Sequence, residues 1–337
     1  MAQTGQFRNN KKIIFGTVII FFLFIACNNN SQNQTSTTST EKAVTQAPQV
    51  IAPQFNSDSA YTFIKTQVDF GPRIPGTKAH ENCADFLIEK LKSYGLKVIV
   101  QQATVTTYDS KSFILKNITA SYKPESNNRI LLTAHWDTRP WADLDSINPT
   151  KPFDGADDGA SGVGVLLEVA RQLNLQKTGT GVDIVFFDIE DYGEENSETP
   201  DTWCLGSQYW SKNLPTPNYS AKYGILLDMV GAANATFPME GTSMRFAPNV
   251  VQKVWETAAK LGYSNYFIDA KTGETTDDHY YVNAITGIPT IDIVHYDPAR
   301  RNYPYFHHCH SDNMSVINKK TLNVVGQLLL ELIYQDK

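Results

Sequence analysis

The sequence predicts an α/β domain built on a mixed, largely parallel, twisted sheet with helices on both faces. Two observations carry this expectation. Segments with the apolar periodicity of helices alternate along the chain with short, strand-like runs. Three of those runs, around 130–135, 183–188 and 221–228, are almost continuously apolar, as in strands covered on both faces, yet each ends in ionisable residues. Open α/β sheets place their functional groups at the carboxyl ends of such strands.

Helical periodicity marks 57–67 and 78–94, the latter closed by Gly95, a residue suited to a helix C-cap. Strands are expected at 97–106, 117–122 and 130–135, then a helix at 161–174 opened by Asp158. A strand at 183–188, a helix at 207–213 and a strand at 221–228 follow. The remaining elements are a helix at 248–261, strands at 266–269 and 290–295, and a closing helix at 319–334.

The first 26 residues read as an address. Arg8, Lys11 and Lys12 precede an apolar stretch at 13–26 that is short for a bilayer span and ends in FIAC. A small residue before Cys27 fits a bacterial lipoprotein signal, so 1–26 is expected to be cleaved and the Cys27 thiol to carry lipid and attach the protein to a membrane. An uncleaved anchor is the other reading, and either one exports the body. Asn28, in place of an Asp, points to the outer membrane, facing the periplasm or the surface. Residues 27–53, rich in Asn, Gln, Ser and Thr, have little to bury and should form a disordered tether. Residues 54–337 are then one catalytic domain. A net charge of −6 with no run of Lys or Arg excludes nucleic acid as the partner. Past Cys27 only Cys83, Cys204 and Cys309 remain, which is no disulfide framework, although one pair could form in an oxidising compartment.

The chemistry clusters at strand ends. In residues 183–193 (DIVFFDIEDYG) the apolar run meets Asp188, Glu190 and Asp191. Ionised carboxylates are costly to bury without a cation, so these acids indicate a metal or an acid/base site unless the strand has already given way to a solvated loop. On extended backbone the side chains of Glu190 and Asp191 would point in opposite directions, one to metal and one to substrate. His135 and Asp137 sit two apart at another strand end, where an imidazole can ligate metal and a carboxylate can orient it. In GADDGASG (155–162) two adjacent acids exceed what helix capping needs. Asp228, the TDDH of 276–279, and His307, His308 and His310 with Asp312 complete the series.

The set His135-x-Asp137, Asp157-Asp158, Glu190-Asp191, Asp228 and His308 with Asp312 resembles the zinc aminopeptidase clan, which also contains the animal-type glutaminyl cyclases. AANATFP (232–238) and Asp277 before Asp278-His279 resemble the cyclase branch. The resemblance implies Asp158, Asp191 and His308 as zinc ligands, Glu190 as general base and acid, and Asp228 and Asp277 as a carboxylate network beside it. It departs from the family at Asp191, where Glu is common, at Asp292, where animal cyclases carry His, with His295 three residues on, and at His307 and Tyr303. Trp136, Trp141 and Trp203 are candidates for the pocket wall. The implied reaction converts the N-terminal glutamine of a peptide or protein to pyroglutamate with release of ammonia, zinc polarising the amide. The same ligands would also serve a two-zinc aminopeptidase, with His135 and Asp228 holding the second ion and Asp158 bridging. A catalytically inactive surface binding domain is a third reading, which an intact Glu190 disfavours.

Overall fold

The computed structural model describes residues 51–195, 197–198 and 200–336. The leader, Cys27 and all but the last three residues of the tether lie outside the described residues. Among the described residues eight strands form: β1 (Lys97–Thr106), β2 (Ser112–Tyr122), β3 (Arg129–His135), β4 (Gly181–Phe187), β5 (Gly224–Asp228), β6 (Phe237–Met239), β7 (Phe267–Lys271) and β8 (Thr290–Val294). Six of them make one sheet in the order β1-β2-β4-β3-β5-β8. β4, β3, β5 and β8 run parallel, and β2 is antiparallel to both β1 and β4. β3 and β4 are buried at every residue, whereas the β1 edge alternates between exposed and half-buried positions. The continuous and the alternating sequence patterns thus separate the centre of the sheet from its edge.

The long helices are α1 (Ser57–Asp69), α2 (Lys78–Ser93), α3 (Ala160–Leu175), α6 (Pro248–Lys260) and α8 (Lys319–Gln335), with the shorter α4 (Leu205–Lys212), α5 (Gly241–Phe246) and α7 (Asp278–Tyr281) between them. Side chains cap three of the long ones. Asn56 accepts from the amides of Asp58 and Ser59, Thr77 from that of His80, and Asn318 from that of Lys320. α3 is buried nearly throughout and packs against α1, α8 and β3. Among the described residues no helix is long and apolar enough to cross a membrane.

Three expectations change. The strand expected at 266–269 does not join the main sheet; β7 pairs in parallel with β6 in a separate two-stranded ribbon. The strand expected from 221 begins at Gly224, although the Lys222 amide already donates to the Arg129 carbonyl of the neighbouring strand at 2.9 Å. β6, α5, α7 and the π-turn Val282–Thr286 that continues α7 were not expected, being too short to show a period. At the end of the sheet remote from the parallel strands' carboxyl termini, Arg129 and Asp183 form a buried pair at 2.6 Å, to which the Tyr219 and Ser121 hydroxyls donate.

Candidate active site

The order β4-β3-β5 sets three strand ends side by side, with His135 in the middle. Its Nε2 lies 3.0 Å from Asp158 Oδ1 and 3.4 Å from Asp228 Oδ1. Asp158 arrives on the loop before α3. That loop is held by Arg73, whose guanidinium donates to the Gly155 carbonyl at 2.7 Å, and by Asp312, which accepts from the amides of Asp157 and Asp158 at 2.7 and 3.1 Å. The helix N-cap is Gly159, with no side-chain capping bond, so Asp158 does not open the helix and its carboxylate remains available. Only glycine fits there. Its φ is +77°, and a Cβ would come within 2.8 Å of His135 Cε1.

Beyond β4 the chain turns at Ile189, which has φ +53°. Glu190 and Asp191 therefore do not sit on extended backbone, and their divergence comes from this turn rather than from strand alternation. Asp137 fixes the turn by accepting from the amides of Glu190 and Asp191 at 3.0 and 3.2 Å. It was expected to orient His135, and at 3.6 Å it is the acid nearest the Nδ1, so one carboxylate faces the imidazole and also positions the Glu190–Asp191 turn. Asp191 Oδ1 lies 3.1 Å from His308 Nε2, and its Oδ2 accepts from the Arg139 amide at 3.0 Å. His308, at φ +52°, also brings Nε2 to 3.6 Å from Asp158 Oδ2. Asp158, Asp191 and His308 thus converge from three separate loops.

Asp158 Oδ2 and Asp228 Oδ1 are buried and accept no hydrogen bond. Oxygens this deep without donors call for a cation, and two carboxylates with an imidazole are a donor set that suits zinc. His135, Asp158 and Asp228 form a second such group, with one ligand atom from each lying within 4.8 Å of the others. His307 approaches Asp158 at 3.9 Å and stacks on His308 with ring centres 3.8 Å apart.

The titration of these groups follows their burial and neighbours. Burial, then the charges of Asp277 and Asp191, holds the Glu190 carboxyl well above its ordinary range despite the opposing charge of His135. Burial likewise pushes Asp228 up to about 7, with Asp158 and Asp277 adding to it and His135 opposing. Burial opposes charge on His308, but Asp191, Asp143 and Asp158 outweigh it and raise the imidazole to about 10. His307 goes the other way, lowered to about 3 by burial and by His308.

These groups line a pocket of about 450 Å³, walled further by Trp203, Tyr303, His307, Thr275 and Thr276. Asp277, the N-cap of α7, also lines it, with a carboxylate oxygen within 4.8 Å of one on Glu190. Of the three expected tryptophans only Trp203 does so, lying parallel to the His308 ring at 6.3 Å. Trp136 stacks on buried His80 at 4.2 Å, and Trp141 packs edge-on to Tyr192. Asp292 lies outside the pocket, fully buried with neither oxygen hydrogen-bonded, and His295 faces a separate cleft shared with Ala233 and Asn234. Cys83, Cys204 and Cys309 are all free and buried, so the possible pair among them does not form.

Three residues of the site escaped the sequence reading. Asp143 lies 3.4 Å from His308 Nδ1 and backs that imidazole, and it is held in turn by the Arg139 guanidinium. Arg139 is sandwiched between Trp203 and Trp141, with its guanidinium 4.7 and 5.1 Å from the ring centres. Cys204 donates from its thiol to Glu190 Oε1 at 3.2 Å. No sequence signal marked these three, because Arg139 and Asp143, although four apart, lie in a loop where that spacing means nothing, and Cys204 stands alone.

Residues 117–333, which include every residue proposed as ligand, base or network acid, match the model of peptidase family M28. The chain belongs to that family. Its fold superposes on the crystal structure of Bacteroides thetaiotaomicron glutaminyl cyclase bound to N-acetylhistamine with a TM-score of 0.83 and 50% identity, covering 85% of this chain and 100% of that one. A Zn-dependent exopeptidase from Parabacteroides distasonis is equally similar, with a TM-score of 0.82 and 50% identity over 84% of this chain and 99% of the other. The glutaminyl-peptide cyclotransferase of Gloydius blomhoffii is 24% identical over 292 residues, 76% of this chain and 75% of that protein. Against two other family relatives, YfbL of Escherichia coli and aminopeptidase YwaD of Bacillus subtilis, the match spans only 41% and 44% of their lengths.

Proposed function

We propose that this protein is a zinc-dependent glutaminyl-peptide cyclotransferase, acting on peptides or proteins with N-terminal glutamine. The observation that carries this reading is the buried pair of Glu190 and Asp277. A carboxylate whose affinity for a proton is raised by burial and by neighbouring acids suits a reaction in which one proton is taken up and returned. The 50% identity to a bacterial glutaminyl cyclase across the whole of that chain supports it.

Asp158, Asp191 and His308 would hold the zinc, with Asp143 and Asp312 fixing the loops that carry two of them. Bound zinc supplies the Lewis acidity that polarises the glutamine γ-carbonyl. Glu190 accepts a proton from the substrate α-amine as it attacks that carbon and returns it to the departing ammonia, so no water is consumed. Burial, with the charges of Asp277 and Asp191, raises the affinity of Glu190 for that proton. Trp203 and Tyr303 give the pocket aromatic walls that limit water around the reacting amide.

A second reading rests on His135. It stands between Asp158 and Asp228, and these three residues would hold a second ion, which would supply the water activation that peptide hydrolysis by an aminopeptidase needs. Metal analysis of the purified protein, together with ammonia release from a Gln-initiated peptide, separates the two. One zinc with ammonia release is expected. Two zinc ions with hydrolysis of an aminoacyl anilide would overturn the cyclase reading.

The protein is further proposed to be an exported lipoprotein of the outer membrane, anchored through Cys27. The basic segment, the short apolar stretch and the FIAC sequence support this. Radiolabelled palmitate incorporation that is lost on Cys27→Ala, with fractionation to the outer membrane, is the expected result. Recovery in the inner membrane would count against it.

A further inference from the structure

We propose that the Cys204 thiol is a positioning residue for the base, its S–H donating to Glu190 Oε1 and fixing the direction in which that carboxylate faces the substrate. The inference rests on Glu190 being the base, as argued above. The contact is 3.2 Å, a normal length for a thiol donor to an oxygen, and it is the one side-chain hydrogen bond made to that carboxylate among the described residues. On its other side the nearest histidine nitrogen, His135 Nδ1, is 3.9 Å away. Without Cys204 the Glu190 side chain would be free to rotate within an acid-lined space.

The backbone is arranged to deliver this thiol. The Cys204 amide donates to the Glu190 carbonyl at 2.9 Å and the Leu205 amide to the Ile189 carbonyl at 3.0 Å, so the two segments are joined immediately beside the base. Cys204 itself has φ +57° and ψ 36°, the left-handed conformation that favours Gly or Asn. A side chain with a Cβ in that region costs energy, and such outliers persist where the surroundings use them. The thiol is fully buried and in no disulfide. Burial, followed by the charges of Glu190, Asp278 and Asp277, pushes its pKa well up, so it remains a donor and not a thiolate.

The test uses the full chain with Cys204→Ala and Cys204→Ser. Ala should lower kcat for ammonia release by roughly three- to tenfold, the rate equivalent of one hydrogen bond, with KM and zinc content unchanged. Ser, whose hydroxyl can also donate, should recover to within about twofold of the parent. Infrared difference spectra of parent against Cys204→Ser isolate the S–H stretch of this thiol, which should move when Glu190→Gln weakens the acceptor. Parental kcat in Cys204→Ala, an S–H band unmoved by Glu190→Gln, or zinc lost with Cys204→Ser would each overturn the proposal, the last by making the sulfur a ligand. If the parent releases no ammonia, the cyclase reading falls separately. The same comparison is then read on hydrolysis of an aminoacyl anilide, where Glu190 would again be the base, and the infrared shift decides the contact without any turnover.

Discussion

Glu190→Gln separates binding from chemistry at this site. Gln keeps the length of the side chain and an oxygen for the Cys204 thiol to donate to, and it leaves the Asp137 bonds to the amides of 190 and 191 untouched. The contact between Asp191 and His308 at 3.1 Å does not involve the replaced group, so zinc content should hardly change. What disappears is proton acceptance. General catalysis of this kind contributes ~10² to 10⁴-fold, about 3–5 kcal/mol on the barrier. Asp277, with an oxygen within 4.8 Å of the replaced carboxylate, can take the proton from a poorer position, which places the expected loss nearer ~10²-fold. The assay is kcat/KM for ammonia release from a Gln-initiated peptide, alongside metal analysis and calorimetric titration with an imidazole-bearing competitive inhibitor. Such a compound should bind the variant nearly as well as the parent, because the proposed zinc ligands and Trp203 are unchanged. Near-parental ammonia release would refute the assignment of the base, and loss of zinc would make Glu190 a ligand and Asp191 the base.

Ala in place of Asp158, Asp191 or His308 should remove zinc and activity together, since each would supply one of the three proposed protein ligands, whereas His135→Ala should retain zinc under the cyclase reading; elemental analysis of each variant decides. Asp292→Asn should stabilise the fold increasingly as pH rises. Burial, then the charges of Asp277 and Asp228, puts the folded pKa of Asp292 well above the ordinary value of 3.8, so its contribution is full below that value and is lost as pH climbs through the folded pKa. Urea midpoints across a pH series should show the variant overtaking the parent, and a constant difference would sink the argument. Phe55→Ala should cost ~3–5 kcal/mol by urea unfolding, because that ring is buried against Gly326. Removing residues 1–50 should cost nothing measurable by the same method.

The central sheet was legible because burial on both faces leaves a long apolar signature, and the acids that follow it at Glu190, Asp191 and Asp228, with Asp158 on the loop before α3, mark the candidate site. The pairing of β7 with β6 was not legible, since five residues of strand carry no information about which sheet receives them. The divergence of Glu190 and Asp191 was expected on extended backbone, yet it comes from the positive φ at Ile189, a single dihedral that no residue pattern signals. Arg139, Asp143 and Cys204 reach the site from loops whose paths are set by packing against Trp203 and the β4 end, and their residue types give no hint of that in the sequence.

Seven of the fourteen residues lining the pocket are carboxylates, and among the described residues none is Lys or Arg. Under the cyclase reading such a cavity would draw in a peptide by its terminal ammonium, and the reaction would consume that very charge, since the lactam nitrogen of pyroglutamate is neutral. The attraction that loads the substrate is therefore erased by turnover, while the liberated ammonia leaves as a small cation exchangeable with buffer ions. Product inhibition should be weak for this reason, and kcat/KM should fall as ionic strength screens the approach.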